Sequence, residues 1–406
     1  MENNLSVMGN NADLNIDLGA AGYIKKIRDG MGDNQLISIE DGYFIFTLMP
    51  SLGCTLSCPH CYISLDQRRD KSTLSIENLE IACKKVDDYY AMNKIKNKVI
   101  IFFWYGGEPT EMGIDYLNKS VKLINDIYTK EKGYSITHSI ITSLLNIDTD
   151  IWFDFFRKHC DNHFSTSFDG VMRGKNYVKK WEKKVRLAVD QGLRVGTISA
   201  LNNELIKLGA TNVMDYLSDL KVRESGFLPF TWNQYNDGKF YDKYAPTMNA
   251  WSDFMIEATE YYFNAKAAGR YVPEIGQVNY VLTRRKEPLL TNVAAQTLYL
   301  MPNGDFALPD YQKGFQEYMR SFGNIIDEDF ASILKGKERK SFLRKQVMRD
   351  NAVECNSCEH ANKCVMEFWK QNRKDDDCSG GKRYIEWLLD YVKKNNIIYD
   401  NEVILY

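Results

Sequence analysis

Between residues 44 and 267 the chain alternates six short apolar runs with six amphipathic stretches, and this repeat restricts the architecture more than any other feature. Strands are predicted at 44–50, 99–104, 135–142, 163–168, 193–200 and 227–234. Helices are predicted between and after them, at about 75–92, 113–130, 148–158, 174–190, 203–220 and 247–267, the first with Ser75 as N-cap. The run Val99-Ile100-Ile101-Phe102-Phe103-Trp104 is apolar on both faces, as a strand covered on both sides requires. Strand–helix alternation predicts an α/β fold with a parallel sheet under an outer layer of helices. Right-handed crossovers curl such a sheet into a full or partial barrel, with chemistry on the loops at the C-terminal strand ends.

The pattern changes after about residue 290. Residues 297–308 read as a hairpin around Pro302-Asn303-Gly304-Asp305. A basic helical stretch follows at 328–349, then a helix at 382–395 and a short terminal strand. No internal repeat or low-complexity linker separates these parts.

Nine cysteines in 406 residues cannot all pair. Seven fall in two tight groups, which is metal-ligand usage rather than a disulfide framework. A net charge of −2 gives no field for nucleic acid or an anionic membrane. The start Met1-Glu2-Asn3-Asn4 lacks signal-peptide character, and no apolar run reaches the ~20 residues of a membrane span. The expected location is cytoplasmic.

The first group reads Cys54-Thr-Leu-Ser-Cys58-Pro-His-Cys61 in a loop after the first strand. Three thiolates at this spacing suit three irons of one cubane and leave the fourth open. Zinc, with His60 as fourth ligand, is the alternative. The second strand runs into Gly106-Gly107-Glu108. The glycines admit a close approach by backbone or ligand, and the carboxylate offers itself to an ammonium group.

The two motifs together resemble the radical S-adenosylmethionine (SAM) superfamily, with its CxxxCxxC loop and its GGE segment. The resemblance covers residues 44–268 and implies a partial (β/α)6 barrel. It also implies a [4Fe–4S] cluster on Cys54, Cys58 and Cys61 whose open iron chelates SAM. Gly106, Gly107 and Glu108 would hold the SAM amino group. Thr142-Ser143 stands where relatives place a Thr-Asn pair, which makes Ser143 a SAM-contact candidate. Ser167, in Ser167-Phe168-Asp169-Gly170, would contact ribose or carboxylate, and Ile198 would pack on adenine. A turn serine and a core aliphatic are the plain alternatives for these last two.

Cys355, Cys358, Cys364 and Cys378 supply four thiolates, enough to close a zinc site or a second cluster. Their spacing, with the hairpin and Phe322-Gly323-Asn324-Ile325, resembles the SPASM extension of radical SAM enzymes. A full extension holds two auxiliary clusters; the further cysteines are absent here together, so a reduced, Twitch-like form with one [4Fe–4S] cluster is implied. The position left vacant is either substrate space lined by Asp310 and Tyr311 or filled by packed side chains. Asn233 and Tyr235 are further substrate-contact candidates, with solvated loop residues as the alternative.

The expectation is therefore an extension at 1–43, a barrel at 44–285 and an α+β auxiliary-cluster domain at 286–406. Two [4Fe–4S] clusters and SAM would be the cofactors, with flavodoxin or ferredoxin as electron donor. The reaction would be hydrogen abstraction leading to oxidative modification or cross-linking of a ribosomally made peptide. Dehydrogenation or epimerisation of a sugar, aminocyclitol or other small metabolite is the alternative. A non-catalytic zinc or iron–sulfur protein is the reading of another class. Cys83 and Cys160 are expected in the core rather than as hydrogen donors.

Overall fold

The computed structural model describes residues 39–56, 58, 60–230, 238–282, 293–309, 319–348, 358–360, 375–378 and 380–398. Ten strands form one sheet: β1 Tyr43–Leu48, β2 Lys98–Trp104, β3 Tyr134–Thr142, β4 His163–Ser167, β5 Arg194–Leu201, β6 Glu224–Pro229, β7 Glu274–Ile275, β8 Thr297–Leu300, β9 Asp305–Pro309 and β10 Met319–Asn324. Their order is β10-β9-β8-β1-β2-β3-β4-β5-β6-β7. Neighbours from β1 to β7 are parallel, and β8 joins the free side of β1, also parallel. The last two strands continue antiparallel.

Alternation along each strand separates two faces. Phe44, Phe46, Leu48, Phe102, Trp104, Phe164 and Val195 are fully buried in the main core with Leu117, Val121, Phe156 and Trp181 from the covering helices. Ile45, Phe103, Ile141, Ser165, Ser167, Ile198 and Gly226, on the opposite face, are only half-buried. That face lines the lumen of the partial barrel.

The expected strand–helix units are present, and Ser75 caps the helix Ile76–Met92 by accepting from the Asn78 N–H at 3.0 Å. Two boundaries differ. The helix expected over 203–220 breaks at Gly209, whose φ of +83° ends Asn203–Leu208 and starts Ala210–Asp219. The strand expected at 227–234 starts earlier, at Glu224, and ends at Pro229. Pairing with β5 and β7 draws in the polar Glu224-Ser225-Gly226, which resemble a turn in the sequence. The hairpin turn falls where expected, between β8 and β9. Its strands extend the barrel's own sheet, and Thr47 and Thr297 join hydroxyls across β1 and β8 at 3.0 Å. Cys83 and Cys160 are buried. Among the described residues no helix is long and apolar enough to cross a membrane.

Candidate active site

The loop that follows β1 carries Cys54, Cys58 and Cys61, and the loop that follows β2 lies directly against it. The Gly107 N–H donates to the Ser51 carbonyl at 3.1 Å, and the Glu108 N–H to the Gly53 carbonyl at 2.9 Å. A Cβ on Gly106 would lie 2.5 Å from the Ser51 oxygen, and one on Gly107 would lie 2.0 Å from that of Gly53. Gly106 also has φ +121°. The glycine pair is thus demanded by the close approach of the cysteine loop's own backbone.

Further contacts fix this loop. The Cys54 N–H donates to the Arg68 carbonyl at 3.1 Å, and the Cys61 N–H to that of Cys58 at 3.2 Å. Thr55 donates from N–H and hydroxyl to Glu111 Oε1, at 3.0 and 2.6 Å, and accepts from Asn146 at 2.6 Å. The short helix Leu65–Arg69 follows, opened by a capping box of Ser64 and Gln67. All three thiols are half-buried and free of disulfides. Burial pushes the Cys54 thiol up to about 12, with the charges of Glu108, Glu111 and Cys58 adding and the Leu56 N–H opposing. Burial also raises Cys61, against the Ile63 N–H and the charges of Arg68 and Arg173.

Burial and the carboxylates disfavour free thiolates, so the charge of bound metal would have to offset them. Cys58 acts electrostatically on both Cys54 and Cys61. The Arg68 Nε beside them is buried and has no hydrogen-bond partner among the described residues. A negatively charged group held by the thiols would answer that donor.

Glu108 is 4 % exposed and is held by four hydrogen bonds. Its Oε1 accepts from the Thr110 N–H at 3.2 Å, the Thr110 hydroxyl at 2.7 Å and the Thr142 hydroxyl at 2.8 Å. Its Oε2 accepts only from the Ser143 N–H, at 2.8 Å, among the described residues. One oxygen anchors the carboxylate, and the other retains acceptor capacity. Ser143 therefore acts through its backbone in orienting Glu108.

On β4 and β5, Ser167 and Ile198 are register partners, and Gly226 on β6 is the next residue across. The Ser167 carbonyl accepts from the Tyr177 hydroxyl at 3.0 Å. A Cβ built on Gly226 would meet no described atom within 4 Å. Among the described residues the space beside Gly226 in the row Ser167–Ile198–Gly226 is open, and Gly226 was not singled out in the sequence.

Sequence reasoning also passed over an ion network. Asp169, 1 % exposed, accepts from the Ala200 N–H at 2.7 Å, pairs with His60 at 3.3 Å and binds the Arg173 Nε. Burial opposes its charge, yet Arg173 and His60 hold its carboxyl well below the usual range. The Arg173 guanidinium lies 3.4 Å from the His60 Nε2. Asp169 thus engages the Nε2 of His60 and leaves the zinc alternative, through the other ring nitrogen, undecided by this geometry. Tyr62 and Tyr105, flanking the cysteine and glycine motifs, share a hydroxyl–hydroxyl hydrogen bond. His60 with Asp169, and Tyr62 with Tyr105, join residues distant in sequence and leave no local pattern, whereas Asp169 and Arg173 stand four positions apart.

Of the second group, Cys358 and Cys378 are described and half-buried. Asp376 caps the helix Met248–Ala267, accepting from the Met248 and Asn249 N–H groups at 2.7 and 2.8 Å. Asp377 accepts from the Cys378 N–H at 2.8 Å and from the Ser252 hydroxyl at 3.1 Å, so Cys378 is tied to that helix. Cys358 lies within electrostatic reach of Lys382, at the start of the helix Lys382–Lys394 that Cys378 precedes. Cys355, Cys364, Asn233, Tyr235, Asp310 and Tyr311 lie outside the described residues.

No family model matches the chain, and neither does any curated protein. Among solved structures it is similar to native anSMEcpe with bound AdoMet and Cp18Cys peptide. Identity is 17%, TM-score 0.65, with 87% of this chain and 99% of that chain covered. The anSMEcpe structure with AdoMet and Kp18Cys peptide gives 17%, 0.62, 87% and 99%. Native anSMEcpe with AdoMet gives 16%, 0.64, 87% and 98%. The chain shares the fold of these proteins over most of its length.

Proposed function

We propose that this chain is a radical SAM enzyme that modifies a peptide. The observation that carries the reading is the hydrogen-bonded contact between the two loops. It sets three half-buried thiols and a buried carboxylate with a spare acceptor oxygen at one barrel mouth. Cys54, Cys58 and Cys61 would hold three irons of a [4Fe–4S] cluster. Glu108 would bind the SAM amino group, kept in place by Thr110, Thr142 and the Ser143 N–H. Ser167 and Ile198 would border the nucleoside, with room left by Gly226. When bound, a reduced cluster and SAM would supply a 5′-deoxyadenosyl radical able to take hydrogen from a substrate carbon.

The shared fold supports this reading, as does the bound AdoMet and peptide of anSMEcpe. Residues 44–285 are read as the catalytic barrel and 286–406 as an auxiliary domain. There, Cys355, Cys358, Cys364 and Cys378 would close a second [4Fe–4S] site that accepts an electron from the substrate radical or shapes its pocket. A flavodoxin or ferredoxin would supply the first electron in the cytoplasm.

The test is anaerobic reconstitution followed by incubation with SAM and dithionite. Formation of 5′-deoxyadenosine is expected, and its absence from a protein loaded with iron and sulfide would overturn the reading. Zinc in place of iron in both cysteine groups would point to the non-catalytic class.

A further inference from the structure

The loop of Cys54, Cys58 and Cys61 is flanked by two arginines whose charges are treated differently. Arg173 is neutralised: its guanidinium binds Asp169, a carboxylate 1 % exposed. Arg68 is not: among the described residues its side chain donates one hydrogen bond, from Nη1 to the Leu56 carbonyl at 2.9 Å. Its Nε is buried without a partner. Leu56 lies between Cys54 and Cys58, and the Arg68 carbonyl accepts the Cys54 N–H at 3.1 Å. Backbone and side chain of one residue therefore grip the same loop. The short helix that carries Arg68 is fixed by its capping box, which holds the guanidinium in place.

Adding an electron to a cluster adds negative charge, so a nearby uncompensated cation favours the reduced form. The Arg68 Nε is shut off from solvent, although the residue as a whole is half-buried. A cation paired with a buried carboxylate has little net effect. The carboxylates near the loop, Glu108 and Glu111, act on Cys54, and both Arg68 and Arg173 act on Cys61.

We propose that Arg68 raises the reduction potential of the cluster held by Cys54, Cys58 and Cys61, and that Asp169 prevents Arg173 from raising it further. This rests on the radical SAM reading above. Arg68 is a positioning and charge-setting residue; it transfers no proton and binds no iron.

The test uses the full chain, reconstituted anaerobically, with the cluster identified as the one whose electron paramagnetic resonance signal changes on addition of SAM. Its midpoint potential is measured by redox titration in wild type, Arg68→Gln, Arg68→Lys and Asp169→Asn. The expected order is Arg68→Gln below wild type, Arg68→Lys close to it and Asp169→Asn above it. An unchanged potential in Arg68→Gln, or one unchanged or lowered in Asp169→Asn, overturns the proposal. If Arg68→Gln takes up no iron, the opposite-signed Asp169→Asn arm decides. A wild-type protein with no SAM-sensitive cluster signal overturns the functional reading itself, which is distinct from a cluster whose potential ignores these substitutions.

Discussion

Gly107 and Gly53 stand so close that any side chain on the former would meet the carbonyl oxygen of the latter, 2.0 Å from the added Cβ. Gly107→Ala must push the cysteine loop away or break the Glu108-to-Gly53 hydrogen bond. A cost of about 3 kcal/mol is expected, with loss of most bound iron. Denaturant unfolding and iron analysis check both. Gly226→Ala is the control: its Cβ would enter open space. Stability should stay within about 0.5 kcal/mol while SAM binding weakens, as equilibrium dialysis would show.

Glu108→Gln keeps the shape of the side chain and removes its charge. SAM affinity should fall roughly 10–100-fold, the range of a lost charged hydrogen bond, with iron content unchanged. Affinity equal to wild type would reduce the residue to a structural brace for Thr110, Thr142 and Ser143.

His138 makes stability depend on pH. Its Nδ1 accepts from the Trp104 indole at 3.3 Å, and its Nε2 donates to Asn125 at 3.1 Å, which assigns the neutral tautomer. Burial, with a smaller push from His159, lowers its pKa to about 3. Between the ordinary value near 6.5 and that lower value, the unfolded chain binds a proton that the folded chain refuses. Stability is therefore lost as pH falls through this window, by about 1.4 kcal/mol per unit. Asp169, held well below its ordinary value of 3.8, adds to the loss only below that value and leaves the range from pH 6.5 to 5 to the histidine. His138→Gln should be less stable at pH 7 but flatter between about pH 6.5 and 5 in chemical denaturation.

Three cysteines and four cysteines imply unequal sites. About eight iron atoms per chain are expected after reconstitution; about four with one zinc would remove the auxiliary cluster from the proposal. Replacing Cys54, Cys58 and Cys61 by Ala should abolish 5′-deoxyadenosine formation. Replacing Cys355, Cys358, Cys364 and Cys378 should spare part of it yet impair product formation, with circular dichroism reporting the fold. Normal product from the folded quadruple variant would leave that group without a catalytic role.

The barrel was legible because continuously apolar strands such as β2 alternate with helices, a pattern with few other solutions. The segment Glu224–Gly226 was not, since its strand character comes from pairing on both sides rather than from its own residues. The chemistry-bearing motifs Cys54–Cys61 and Gly106–Glu108 are short and local, so they could be read. Asp169 and Arg173 are near neighbours in sequence. The contacts of Asp169 with His60 and the Ala200 N–H, the partnerless Arg68 Nε and the space beside Gly226, the last two among the described residues, depend instead on how distant loops meet. The glycines were read as admitting backbone or ligand; contacts with Ser51 and Gly53 make it backbone.

The parallel pairing of β8 with β1 has a consequence for biosynthesis. Thr47 and Thr297, which meet across it, are 250 positions apart. As the chain leaves the ribosome, β1 has β2 on one side and an open edge on the other until residues 297–300 emerge. Loop closure on that scale is slow, and an unpaired apolar edge is prone to adhesion. The strand leading directly into the cysteine loop is thus among the last to be enclosed. Delivery of iron and sulfide during translation would find that loop's supporting strand still bare on one side.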